Sequence, residues 1–94
     1  MRIRKVRHRG LKRFLEKNDP KGLPSGRVDK IRDILTALIV AENLDDLPPF
    51  PGWRLHPLKG DRKGTWSLAV TGNWRITFLV QDDEIHDLNL EDYH

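Results

Sequence analysis

The chain has 94 residues, a net charge of +3 and a hydrophobic fraction of 37% that includes three tryptophans. That length predicts one domain, over residues 1–94, and that composition excludes a disordered chain. The lack of cysteine excludes a disulfide scaffold, thiol catalysis and cysteine-ligated metal sites. No apolar stretch resembles a signal peptide or reaches the ~18 residues of a membrane span, so we expect a cytoplasmic protein with no membrane partner.

Charge is unevenly distributed along the chain. Residues 1–18 carry eight Lys or Arg and one acid, and residues 53–81 carry five Lys or Arg and one acid. Residues 82–94 carry six acids and no Lys or Arg. Basic segments favour a polyanionic partner, of which nucleic acid is the most common. A solvated surface rich in Lys and Arg is the alternative that charge alone leaves open.

The first half of the chain predicts a strand followed by two helices. Residues 2–7 place apolar side chains among bases, which indicates a short edge strand. Residues 9–17 show the apolar spacing of a helix, which ends at the Asn-Asp-Pro of residues 18–20. We expect Ser25 to cap a second helix that runs to about Asn43. The predicted buried face of that helix consists of Val28, Ile31, Ile34, Leu35, Leu38 and Ile39.

The second half predicts four antiparallel strands that form a meander. The strands are expected at residues 53–58, 65–71, 74–80 and 85–90. A basic loop at residues 59–64 and two tight turns connect them. The order of elements predicts an α+β fold in which both helices cover one face of the sheet and the other face stays open.

Strand alternation sorts side chains between the two faces of that sheet. Large apolar residues are expected to point toward the helices, among them Trp53 and Leu55. Arg54, His56 and Arg75 are then expected to point outward together. The pattern predicts an open basic face that carries a histidine, although each of these residues taken alone is compatible with an ordinary exposed side chain.

An open basic face with a histidine has the chemistry to cut RNA without a metal. The ribose 2′-hydroxyl must lose a proton, the 5′-oxygen must gain one, and the phosphate must share its charge with the protein. His, Asp and Tyr transfer protons, while Lys and Arg stabilise the phosphorane-like transition state. The four histidines lack the spacing of a metal-binding motif, so no metal or other cofactor is expected. His8 and His86 are assigned to structure or surface.

Several short motifs resemble those of the HigB toxins of the RelE superfamily. They are HPLKGD at residues 56–61, GTWS at 64–67, NWRITF at 73–78 and EDYH at 91–94, with RGLKRF at 9–14 similar too. The resemblance covers nearly the whole chain in the same order. It implies a RelE-like, microbial-ribonuclease-type fold and a metal-independent endoribonuclease that cuts mRNA in the ribosomal A site and so inhibits translation. It also implies a HigA-type helix-turn-helix antitoxin, with operator DNA contacted only through the antitoxin complex.

The catalytic residues that the resemblance implies are His56, Asp92, Tyr93 and His94. Either histidine is expected to deprotonate the 2′-hydroxyl, Tyr93 to orient the nucleotide or stack on it, and Asp92 to orient a histidine. Strict alternation would separate Tyr93 from Asp92 and His94. We therefore expect the last strand to end or twist near Glu91.

The RNA-binding residues are expected in the basic loop and on the neighbouring strand. Lys59 and Arg75 match family positions that would contact phosphate. Arg62 and Lys63 belong to the same basic loop, and the amide of Asn73 could pair with an adenine edge.

Two other functions stay open. A ParE-like toxin would share the fold but would act on DNA gyrase and would need no catalytic histidine. A nucleic-acid-binding module would use the same basic face without any chemistry.

Overall fold

In the computed structural model, which describes residues 1–49 and 52–92, five strands form one sheet. In chain order they are β1 (Arg2–Ile3), β2 (His56–Pro57), β3 (Thr65–Ala69), β4 (Trp74–Gln81) and β5 (Glu84–Asp92). Their spatial order is β1-β5-β4-β3-β2, with β1 parallel to β5 and the other pairs antiparallel. The predicted edge strand and four-stranded meander are thereby confirmed.

Helix α1 spans Arg9–Lys17, as predicted. His8 caps it, because the Nδ1 atom of the His8 ring accepts a hydrogen bond from the backbone N–H of Leu11 at 3.2 Å. Burial lowers the pKa of His8, which favours the neutral ring that such a cap requires. Asn18 ends the helix in the left-handed conformation and donates its N–H to the carbonyl of Phe14. The structural assignment of His8 is therefore confirmed.

Helix α2 spans Val28–Val40 and begins later than predicted. Ser25 is not its cap, because Ser25 is the second residue of a β-turn. In that turn the N–H of Arg27 donates to the carbonyl of Pro24 at 3.2 Å, and Gly26 has a φ of 78°. A type II turn requires such a positive φ at its third position, so the helix begins only after the glycine.

The C-terminal end of α2 lies three residues before the predicted Asn43. Ala41 is extended, and the carbonyls of Leu38 and Ile39 accept hydrogen bonds from the amino group of Met1 at 2.7 and 2.9 Å. Ile39 was predicted to be buried but is 50% exposed, because it lies at the margin of the apolar stripe. The residues of α2 that are buried are Ile31, Ile34, Leu35 and Leu38.

The core lies between the two helices and one face of the sheet. Its fully buried side chains come from both layers and include Leu11, Ile31, Leu38, Leu68, Ile76, Phe78 and Leu88. The predicted arrangement, with helices on one face only, follows from this distribution. None of the helices in the described ranges is long and apolar enough to span a membrane.

The strand predicted at residues 53–58 is reduced to the two residues of β2. Arg54 has a φ of 48°, in the left-handed region, which breaks both the extended chain and its alternation. Trp53 is buried as predicted, but Leu55 was predicted to point inward and is 37% exposed. The proline of β2 also lacks the N–H that a longer ladder would need.

A β-bulge in β5 decides which of its side chains face the core. The register between β4 and β5 shifts by one residue, and Asp87 has a φ of 51°. Because of this extra residue, Ile85 and Leu88 are both buried although they are three positions apart. After the bulge ordinary alternation resumes, so Leu90 faces the core and Glu91 faces the open side.

We predict that replacing Asp87 with valine lowers the free energy of unfolding by about 1–2 kcal/mol, because a β-branched residue is strained at a positive φ. Urea denaturation of both proteins measures this. Asp87→Asn is the matched control, since asparagine tolerates this conformation. That variant loses only the exposed contact with Lys5, at 3.9 Å, and is expected to stay within about 0.5 kcal/mol of the parent. Equal stability of the two variants would contradict the prediction.

Candidate RNA-cleaving site

The open face of the sheet carries two rows of side chains that the strand register sets side by side. One row consists of His56, Ser67, Thr77 and Asn89, and the next consists of Ala69, Arg75 and Glu91. Both rows point away from the helices, because their neighbours along each strand point into the core. Ser67 and Thr77 are each only 1% exposed, so part of this face is covered.

His56 borders a shallow pocket of about 160 Å³ on the open face, which we call the histidine pocket. Arg54, Ser67, Trp74 and Arg75 also line it. The two arginines predicted to share a surface with His56 are therefore found beside it. Arg54 reaches the pocket from a left-handed backbone position and not through strand alternation.

The ring of His56 is oriented by the backbone that precedes it. Its Nδ1 atom lies 2.8 Å from the carbonyl oxygen of Arg54. A carbonyl oxygen can only accept, so Nδ1 carries the proton of this contact, and the neutral ring leaves a lone pair on Nε2. Because the side chain is exposed, Nε2 is accessible to a substrate proton. This tautomer suits a general base.

Three side chains hold the carboxylate of Glu91. Arg62 donates from its two terminal nitrogens at 2.6 and 2.5 Å, Thr77 donates its hydroxyl hydrogen, and the nearest guanidinium nitrogen of Arg75 lies 3.7 Å away. The bonds from Arg62, with the bond from Thr77 and the charges of Arg62 and Arg75, lower the pKa of Glu91 to about 2 against the opposing effect of burial. Glu91 is therefore a fixed anion at neutral pH and does not transfer protons there.

The predicted RNA-binding residues lie in different surroundings. Arg62 is engaged with Glu91, as described, through both terminal nitrogens. Lys59 and Lys63 are exposed in the basic loop, and neither lines the histidine pocket. Asn73 is exposed in the turn between β3 and β4, directly after two residues that do line it.

The predicted catalytic residues at the C-terminus are described only in part. β5 is still paired at Asp92, one residue beyond the point at which we expected it to end or twist. Asp92 is exposed and lies opposite Trp74, which lines the histidine pocket. Tyr93 and His94 lie outside the described residues.

Sequence reasoning missed Glu91 as a residue of this face. Two acids stand next to each other in the EDYH motif, and the resemblance selected the second, Asp92. Strand alternation could have found Glu91, because it shares the parity of the outward residues and stands opposite Arg75 in the sheet. The charge complementarity of that pair was the available signal.

Two larger grooves, of about 650 and 780 Å³, lie away from this face. One runs along β1 and α1, and the other lies between α2 and the segment that leads to Trp53. Among the residues that the structure describes, neither is lined by a histidine. Of these three concavities, the smaller pocket is the one that a histidine of the described residues lines.

The same architecture is found in solved structures of toxins. The Escherichia coli DinJ–YafQ complex contains a chain that superposes with a TM-score of 0.64 at 19% identity, covering 99% of this chain and 94% of that one. The YoeB/ParE toxin from Agrobacterium tumefaciens superposes with a TM-score of 0.62 at 17% identity, with full coverage of both chains. At these identities the likeness shows the fold alone, which places the chain in the class of small α+β domains with this architecture.

Sequence comparison then gives the family within that class. Residues 4–94 match the family described as the RelE-like toxin of type II toxin–antitoxin system HigB, and the chain belongs to that family. It is also 45% identical over 92 residues to Endoribonuclease HigB of Proteus vulgaris, an alignment that covers 98% of this chain and 99% of the relative. The resemblance inferred from the motifs is confirmed.

We predict that Glu91 makes the stability of the fold sensitive to acid. Its pKa is lowered from about 4.5 to about 2 by folding, so its contribution is complete above about pH 4.5 and is lost as the pH falls toward 2. The size of that contribution is at most about 3 kcal/mol. Urea denaturation between pH 3 and pH 7 should show a smaller loss in Glu91→Gln than in the parent.

The matched control for this prediction is Glu16→Gln, which removes an exposed carboxylate from α1. Its stability should follow the parent across the same pH range. Parallel pH profiles for the parent and Glu91→Gln would show that the contacts of Glu91 add nothing to stability.

Proposed function

We propose that this chain is an endoribonuclease toxin that cleaves mRNA in the ribosomal A site. The 45% identical relative, an endoribonuclease, supports the activity. The observation that carries the proposal is the contact of His56 with the carbonyl of Arg54. That contact leaves Nε2 as the accepting nitrogen in a pocket that Arg75 also lines.

The proposed reaction is an in-line attack of the ribose 2′-oxygen on the adjacent phosphorus. The O2′–P bond forms, the P–O5′ bond breaks, one proton leaves the 2′-hydroxyl and another reaches the 5′-oxygen. His56 takes the first proton in this scheme, with His94 as the alternative base. Arg75 supplies positive charge where the phosphorane develops. Tyr93 would orient the nucleotide or stack on it, and Asp92 would orient a histidine.

RNA binding is proposed for the exposed basic and amide side chains around the pocket. Lys59 and Lys63 extend from the loop that follows β2, where they would contact backbone phosphates. Asn73, in the turn beside the pocket, would pair with an adenine edge. We assign Arg62 to its bond with Glu91, since each of its terminal nitrogens donates a hydrogen bond to that carboxylate.

The proposed protein partner is a HigA-type helix-turn-helix antitoxin. The family to which the chain belongs is that of a toxin–antitoxin system, and the DinJ–YafQ structure is a complex of a protein with this fold. Operator DNA would be contacted only through the antitoxin. The ribosome and its mRNA would be the target of the free toxin.

We predict that purified toxin added to a ribosome–mRNA complex creates new 5′ ends at the A-site codon. His56→Ala should slow their appearance by at least about 100-fold, because general acid–base catalysis supplies factors of this size. Primer extension on the mRNA measures the ends. Binding to ribosomes that carry an mRNA with a 2′-deoxy A-site codon should be unchanged, since such an mRNA lacks the attacking hydroxyl.

His86→Ala is the matched control, because this histidine lies opposite Leu79, toward the other end of β5 from Glu91, and takes no part in the proposed site. It should cut at the rate of the parent. If the parent protein creates no new ends, the proposal is wrong. Inhibition of gyrase in that case would favour the ParE-like alternative, and ribosome binding alone would favour a non-catalytic module.

A further inference from the structure

We propose that Glu91 is a positioning residue of the RNA-cleaving site. Its carboxylate anchors the basic loop through Arg62 and holds Arg75 of β4 at the edge of the histidine pocket, where a scissile phosphate would bind. This inference rests on the proposed function and adds to it a residue that never touches the substrate.

The bond between Arg62 and Glu91 joins the basic loop to a distant strand. The loop connects β2 and β3, whereas Glu91 belongs to β5, so the side chain of Arg62 crosses β4 to reach it. Each terminal nitrogen of the guanidinium donates to one carboxylate oxygen. This fork of two hydrogen bonds fixes the orientation of the two side chains as well as their distance. Within the described part of the chain, no other side chain of residues 58–64 is hydrogen-bonded to the sheet. The base of the loop is closed by the backbone bond from the N–H of Leu58 to the carbonyl of Thr65 at 2.8 Å, and this fork adds the side-chain contact that ties the loop to β5.

The contact of Glu91 with Arg75 is looser and differs in kind. The nearest nitrogen of Arg75 lies 3.7 Å from the carboxylate, and the two residues are direct partners across β4 and β5. The side chain of Arg75 is 19% exposed, as is that of Glu91. At this distance the carboxylate of Glu91 orients the guanidinium of Arg75 by its charge. The two short hydrogen bonds to the carboxylate oxygens come from Arg62. Arg75 is thus held at the edge of the histidine pocket.

The charge of Glu91 is itself unfavourable for binding RNA. A carboxylate beside a phosphate site repels the phosphate, so its presence on a basic face calls for a benefit other than affinity. Arg62 cancels this charge and Arg75 then supplies the net positive charge toward the pocket. It follows that removing the carboxylate should affect binding and catalysis in opposite directions.

The test compares Glu91→Gln and Arg62→Lys with the parent in two measurements. The first is binding to ribosomes that carry an mRNA with a 2′-deoxy A-site codon. The second is the single-turnover rate of 5′-end formation on the matching all-ribose mRNA. We expect Glu91→Gln to bind as tightly as the parent or more tightly, yet to cut about 10- to 100-fold more slowly, as misplaced groups do.

Arg62→Lys keeps the positive charge and removes the fork, so we expect the same loss of rate with no gain in binding. Glu16→Gln makes the same change of charge as Glu91→Gln on an exposed helix position, and it should retain the parent rate. Urea denaturation of each variant shows that folded protein is being compared.

A rate for Glu91→Gln equal to or above that of the parent would overturn the inference, because the carboxylate would then only oppose RNA binding. Loss of binding and rate in the same proportion in both variants would also overturn it, since that result describes a purely structural contact. If the parent protein itself makes no new 5′ ends, the proposed function fails and the inference fails with it. The parent measurement therefore separates the two conclusions.

Discussion

The rest of this structure depends on which side chains of β5 face the core and which face the open side. We call this assignment the phase of β5. β5 pairs with β4 on one side and, from Glu84 to Leu88, with the N-terminal segment on the other, so its first half lies inside the sheet. The extra residue at Asp87 lets Ile85 and Leu88 both enter the core, and Leu88 exchanges backbone hydrogen bonds with Lys5 and Arg7 at that point. Without the bulge, strict alternation would place Ile85 and Leu88 on opposite faces of the sheet, so one of them would be exposed.

The same phase creates the charged cluster of the open face. Once Leu90 faces the helices, Glu91 must face the other way and meet Arg75 across the ladder. A carboxylate that is largely removed from water is stable only when donors replace the lost hydration. Arg62 and Thr77 provide those donors, and the loop that carries Arg62 is thereby drawn over the sheet. A packing requirement on one face thus organises the polar groups of the other.

This organisation separates two kinds of polar residue around the histidine pocket. Arg62 and Glu91 are bonded to each other through both terminal nitrogens and both carboxylate oxygens, and Glu91 also accepts from Thr77. His56 is different, because within residues 1–49 and 52–92 its side chain has one hydrogen-bond partner, the backbone carbonyl that Nδ1 contacts, and the ring remains exposed. Groups of the first kind fix geometry, and those of the second kind are the ones that we propose for contact with a substrate.

Residue periodicity by itself determined the local structure wherever a segment's own side chains dictate it. The stripe of α1, the turn residues of the meander and the outward direction of Arg75 follow from neighbours in the chain, and all three were predicted. The tertiary structure alone decided the left-handed turn at Arg54, the early end of α2 and the bulge at Asp87. These features bring together groups that are remote in sequence. For example, the carbonyl of Trp53 accepts a hydrogen bond from the N–H of Ala69. The bond between Arg62 and Glu91, 29 positions apart, belongs to the same class, because no local pattern encodes which distant charges the fold will bring together.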